Sequence, residues 1–161
     1  MGSVGDDAGG EQVALQLGVA GIGHAALLRD PAGSTPTLDA DGIERDAPLP
    51  RLDHGDVDLG LRYLPDCRVL IAAEPLDPPA LTVVAEAAAY HGAALIVLAA
   101  PGSAAPEGLP DATTLLGLPD HDDGAFAELV GRFAVGLAAG EPAAEAWAAA
   151  VSETGWEISA G

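Results

Sequence analysis

Arg68-Val69-Leu70-Ile71-Ala72-Ala73, then Pro78 to His91, then Ala93-Ala94-Leu95-Ile96-Val97-Leu98 is the stretch that decides the fold. The two outer runs are short, continuously apolar and rich in Val, Ile and Leu, the pattern of strands buried on both faces. Pro78 and Pro79 open the segment between them, where a missing N–H costs nothing in the first turn of a helix. Ala85-Glu86-Ala87-Ala88-Ala89 continues it, because Ala loses little side-chain entropy in a helix. Two buried strands joined by one helix make a β-α-β unit, hence a parallel sheet with a right-handed crossover.

Downstream, residues 101–111 read as a Pro/Gly loop and Thr113 to Leu116 as a third, short strand. Phe126, Leu129, Val130, Phe133, Ala134 and Leu137 then recur at helical spacing and form one apolar face. Gly140 stops that helix and Pro142 starts another, whose buried side is Ala146, Trp147, Ala150 and Val151. Upstream, residues 1–10 read as a glycine-rich entry with two Asp. A helix follows over Gly9 to Leu17, with Val13 and Leu17 on one face, ended by Gly18 and Gly21. Ile22 to Leu28 reads as a strand and Val57 to Leu64 as a short helix. Between them, residues 30–56 read as an exposed flap, with Asp41-Gly42 a hairpin turn joining Thr35–Ala40 to Ile43–Ala47. The fold class is α/β.

The charge is lopsided: 25 acidic residues against six Arg, for a formal charge of −19. A phosphate backbone or an anionic lipid surface would be repelled, so neither nucleic acid nor membrane is expected as a partner. Acidity of this kind serves solubility. A single cysteine, Cys67, excludes an internal disulfide and sits before a buried strand, as an inert thiol would. The polar, glycine-rich start does not read as a signal peptide, and no apolar run is long enough to span a bilayer. A cytoplasmic location is the expectation.

Few residues carry chemistry. Asp120-His121-Asp122-Asp123 can be read two ways: Asp120 and Asp122 as ligands of a hard cation such as Mg²⁺, or the whole cluster as an acidic cap on the next helix. Asp6 and Asp7 read first as a helix cap and second as a ligand contact. The four His lie far apart, and none has a Ser or Cys nucleophile at a suggestive spacing. Gly5, Gly9 and Gly10 do not read as a dinucleotide fingerprint, because no strand is expected before them. No Walker-type phosphate loop is possible without Lys.

Several segments, in order, resemble the ribokinase-like (PfkB-type) carbohydrate kinases. Gly2-Ser3-Val4-Gly5-Asp6-Asp7-Ala8-Gly9-Gly10 is similar to that family's G-x-V-G-x-D-x-x-G turn into a helix. Asp41-Gly42-Ile43-Glu44-Arg45 is similar to its lid turn. Residues 68–98 match its middle β-α-β unit, and Pro101 to Leu109 its proline-rich loop. Gly124-Ala125-Phe126-Ala127 aligns with its G-A-G-D element, in which backbone N–H groups form an anion hole and the Asp is the base. Alternatively, Pro119 to Asp123 aligns with the P-N-E-x-E element that serves metal and phosphates.

The resemblance implies one ribokinase-like domain over residues 1–161, a three-layer α/β/α fold with a mainly parallel sheet. It also implies that the family's N-terminal strands and part of its nucleotide-binding region are missing, and that residues 30–56 form a lid. Asp7 becomes a substrate-binding candidate, and Gly124 and Ala125 a remnant of the anion hole. Phe126 and Ala127 stand where the third Gly and the catalytic Asp belong, and Ala127 cannot accept a proton. The expectation is therefore a catalytically inactive kinase-like protein with a ligand-binding, regulatory or subunit role and no cofactor. Missing strands would leave apolar surface or a sheet edge for a homo-oligomer or a sheet-completing protein partner. The alternative is a minimal or split sugar or nucleoside kinase using ATP and Mg²⁺, with Asp123 as base.

Overall fold

A computed structural model describes residues 1–36, 48–64, 66–74, 76–100, 106–119 and 124–156. The chain divides into two units, Met1–Pro65 and Asp66–Gly161.

The first unit holds β1 (Gly2–Gly5), α1 (Ala8–Val19), β2 (Leu27–Asp30) and α2 (His54–Leu61). β1 and β2 pair in parallel, from Gly2 opposite Leu27 to Gly5 opposite Asp30, with α1 as the crossover. β1 corrects the sequence reading, which placed no strand before the glycines. Gly-Ser-Val-Gly has poor strand propensity, but Val4 is buried and the pairing with β2 holds the segment extended.

The strand expected over Ile22–Leu28 is also corrected. Gly21 adopts φ +71°, the Gly21 N–H donates to the Gly18 carbonyl (3.1 Å), and the Ile22 N–H donates to that of Leu17 (2.9 Å). This closure of a helix C-terminus on a left-handed residue consumes Ile22, so pairing starts only at Leu27. Gly18, expected to end the helix, lies inside it. α2 begins three residues before its expected start, because Asp53 and Asp56 form a reciprocal capping box. The expected hairpin across Asp41-Gly42 falls on residues outside those described.

The second unit holds β3 (Val69–Ala72), α3 (Pro78–His91), β4 (Ala94–Ala99), β5 (Thr114–Gly117), α4 (Ala125–Ala139) and α5 (Ala143–Thr154). The strands form a parallel sheet in the order β3-β4-β5, with Val69 opposite Ala94 and Ile96 opposite Thr114. β4 is central, and Leu95 to Leu98 are all buried, as a strand covered on both faces requires. α3 has the bounds read from the sequence, with Asp77 as N-cap and Gly92 as a left-handed C-cap.

Ile96 and Leu98 pack with Phe126, Leu129, Val130 and Phe133 of α4 and Ala146 and Ala150 of α5. Strand alternation turns Leu95 and Val97 to the opposite face, and α3 packs on β3 and β4. Burying a side chain the size of Leu129 contributes about 1.5–3 kcal/mol. Phe133 meets Trp147 edge-on, with centroids 5.3 Å apart. α4 and α5 approach closely because Gly136 has no side chain: a Cβ there would stand 2.8 Å from that of Ala146.

Candidate functional site

Of the residues singled out for chemistry, Asp7 falls on a helix start in the first unit and Gly124 and Ala125 on one in the second. In the first unit the chain leaves β1 at Gly5 and enters α1 through Asp6 and Asp7. Asp7 is the N-cap, in extended conformation. Its Oδ1 accepts from the Gly10 N–H (2.8 Å), and its Oδ2 accepts from the Thr35 N–H (2.8 Å) and the Ser34 hydroxyl (3.0 Å). These donors, Gly10 first and Thr35 next, hold the carboxyl well below the usual carboxylate range. The Thr35 hydroxyl accepts in turn from the Gly5 N–H (2.9 Å).

The knot extends to β2. Asp30 caps its own turn through the Ala32 N–H (2.9 Å) and accepts from the Arg51 N–H (3.2 Å). The Ser34 N–H donates to the Pro48 carbonyl (2.7 Å). Glycine is required here by space: a Cβ on Gly5 would meet the Asp7 carboxylate at 2.6 Å and the Thr35 nitrogen at 2.7 Å. Asp6 stays exposed and pairs with Arg29 at 3.5 Å.

The strand-turn-helix geometry at β1–α1 is one that proteins use for anions, outside the carboxyl ends of parallel strands. Here the chain's own carboxylate already sits on that helix start, and it would repel a phosphate. The spacing Gly5-x3-Gly9-Gly10 also departs from G-x-G-x-x-G. The helix-cap reading of Asp7 therefore stands in the structure. Ser34 and Thr35 were missed by sequence reasoning, which placed them in the flap. Thr35 is 28 residues from Asp7, and no periodicity links them.

In the second unit, α4 starts at Gly124, whose φ of +96° favours glycine. Ala125 is half-buried, the Phe126 ring is buried among Ile96, Leu129 and Phe133, and Ala127 is exposed. Phe126 also lies 5.6 Å from Trp156, centroid to centroid. Asp120, Asp122 and Asp123 lie outside the described residues. Among the described residues, no group of three His, Cys, Asp or Glu could hold a metal ion. No helix among them is long and apolar enough to cross a membrane. Cys67 is a free thiol of intermediate exposure.

No family model matches the chain, and no curated protein does. Among solved structures it is similar to one described as "Crystal Structure of Sa239", at 20% identity and a TM-score of 0.51. The match covers 65% of this chain and spans 37% of that one. At that identity the likeness extends to the α/β fold and no further.

Proposed function

We propose that this chain is a ribokinase-like, PfkB-type carbohydrate-kinase-fold protein that does not transfer phosphate and has a ligand-binding, regulatory or subunit role. The observation that carries the reading is the first turn of α4, where the Phe126 ring is 5% exposed and Ala127 presents a methyl group. Phosphoryl transfer depends on positioned donors, cations around the phosphates and an acceptor for the hydroxyl proton. A buried phenyl ring replaces the glycine that would let phosphate approach, and the alanine side chain has no lone pair to accept a proton. The Asp7 carboxylate supports the same reading, since it already accepts three hydrogen bonds from its own chain.

The test is direct. Mg-ATP titrated by calorimetry, and ATP-dependent phosphorylation across a panel of sugars and nucleosides, should give neither heat at about millimolar nucleotide, a weak-binding regime, nor product. Product formation would overturn the proposal, and its loss in Asp123→Asn would establish the active-kinase reading instead.

A further inference from the structure

α1 is an apolar helix that buries very little of itself: among its residues only Gly10 is buried. Leu15 is 68% exposed, Val19 83% and Ile22, just past the helix end, 53%. Leu15, Gly18 and Val19 occupy positions i, i+3 and i+4 on one side of α1, and Ile22 extends this exposed apolar surface past the left-handed turn at Gly21. The four residues of the stripe are uncharged, with the exposed Glu11 bordering them one turn before Leu15. Gln12 to Leu28 contains no Asp, Glu, Lys or Arg, in a chain of formal charge −19.

We propose that the Leu15-Gly18-Val19-Ile22 stripe is the contact surface of a two-fold dimer of this chain. A partner attracted by charge would be basic and would be drawn to the acidic remainder of the surface, since the stripe offers it no carboxylate beyond Glu11 at its N-terminal border. For a second copy the situation reverses. Two molecules that each carry −19 repel wherever their acidic surfaces meet, and they approach at least cost where each presents a neutral face.

The shape suits self-pairing. A Cβ built on Gly18 would find only the His24 ring, at 3.7 Å, so the surface at Gly18 is a notch beside Leu15 and Val19. In an isologous contact one notch and one knob per copy are enough, because each serves the other in turn. α1 has 12 residues and is therefore about 18 Å long. Paired helices of that length bury about half of the ~800 Å² per partner of a standard stable interface. The dimer is accordingly weak, with a dissociation constant in roughly the micromolar range. It does not rest on the functional reading of α4.

Sedimentation equilibrium of the full chain, from about 5 to 500 µM to bracket a micromolar constant, tests this. The wild type should pass from monomer to dimer. The dimer should tighten between about 0.1 and 0.5 M NaCl, as shorter Debye lengths screen the repulsion. Leu15→Glu and Val19→Gln change exposed positions, should keep the wild-type circular dichroism, and should weaken association at least tenfold. A wild type that stays monomeric at the highest concentration would overturn the proposal. So would a dimer that either folded variant leaves intact, or one that loosens as salt rises.

Discussion

Asp7 shows how a single carboxylate can be committed to structure. It caps α1 through Gly10 and ties that helix start to Ser34 and Thr35. Its pKa in the folded chain lies below the unfolded value of about 3.9. The stability it contributes is therefore fully present above that unfolded value and is lost as pH falls through the folded one. Asp7→Ala should lower the thermal midpoint at pH 7 by about 5 °C or more, in line with the loss of an N-cap. The gap between wild type and variant should narrow as melts are repeated from about pH 5 down to pH 2.

At the start of α4 two neighbours should behave oppositely. Phe126→Ala removes a ring from the core of the second unit and should cost about 3–5 kcal/mol in urea unfolding. Ala127→Asp changes an exposed first-turn position and should stay within about 0.5 kcal/mol, helped slightly by the helix dipole. The cap at Asp7 was legible in the sequence, because Asp before Ala-Gly-Gly is a helix-start signal. Its partners Ser34 and Thr35 were not, since they reach it through tertiary folding alone.

Among the elements, α4 offers a matched pair of glycines. Gly136 faces Ala146 closely enough that a Cβ would also meet the Glu141 carboxylate at 3.0 Å, whereas a Cβ on Gly131 would meet nothing within 4 Å. Gly136→Val should therefore destabilise by about 1–3 kcal/mol through overpacking. Gly131→Ala should stabilise by about 0.5–1 kcal/mol through helix propensity. Equilibrium unfolding of both in urea checks the pair.

The elements that sequence periodicity located best, α3, β4 and α4, are those whose side chains fill the core of the second unit. β1 escaped because glycine and serine say little about strands, and its conformation is dictated by a partner more than 20 residues away. Ile22 misled in the other direction: a β-branched residue after a glycine looks like a strand start, but its N–H is spent closing α1.

For the whole molecule, burial is unevenly shared. Of the 21 buried hydrophobic residues among those described, four (Val4, Ala26, Val57 and Leu61) lie in the first unit. A two-stranded sheet with so small a core is marginal in water. Residues 66–161 expressed alone should give a cooperative thermal melt, whereas residues 1–65 alone should give none, by circular dichroism. The α/β class and the acidity were legible at this scale because both are summed over many residues. Chemistry was less legible, because it hangs on a few positions whose surroundings only the folded chain supplies.

The stitching around Ser34 has a practical consequence. The chain leaves this knot after Pro36 and returns at Pro48, whose carbonyl accepts from the Ser34 N–H, and Asp30 fastens Arg51 alongside. Entry and exit are thereby held as neighbours by groups outside the span they enclose. A guest peptide spliced between Pro36 and Pro48 should leave the β1–β2 pair in register, because every bond that fastens entry to exit lies outside the insertion.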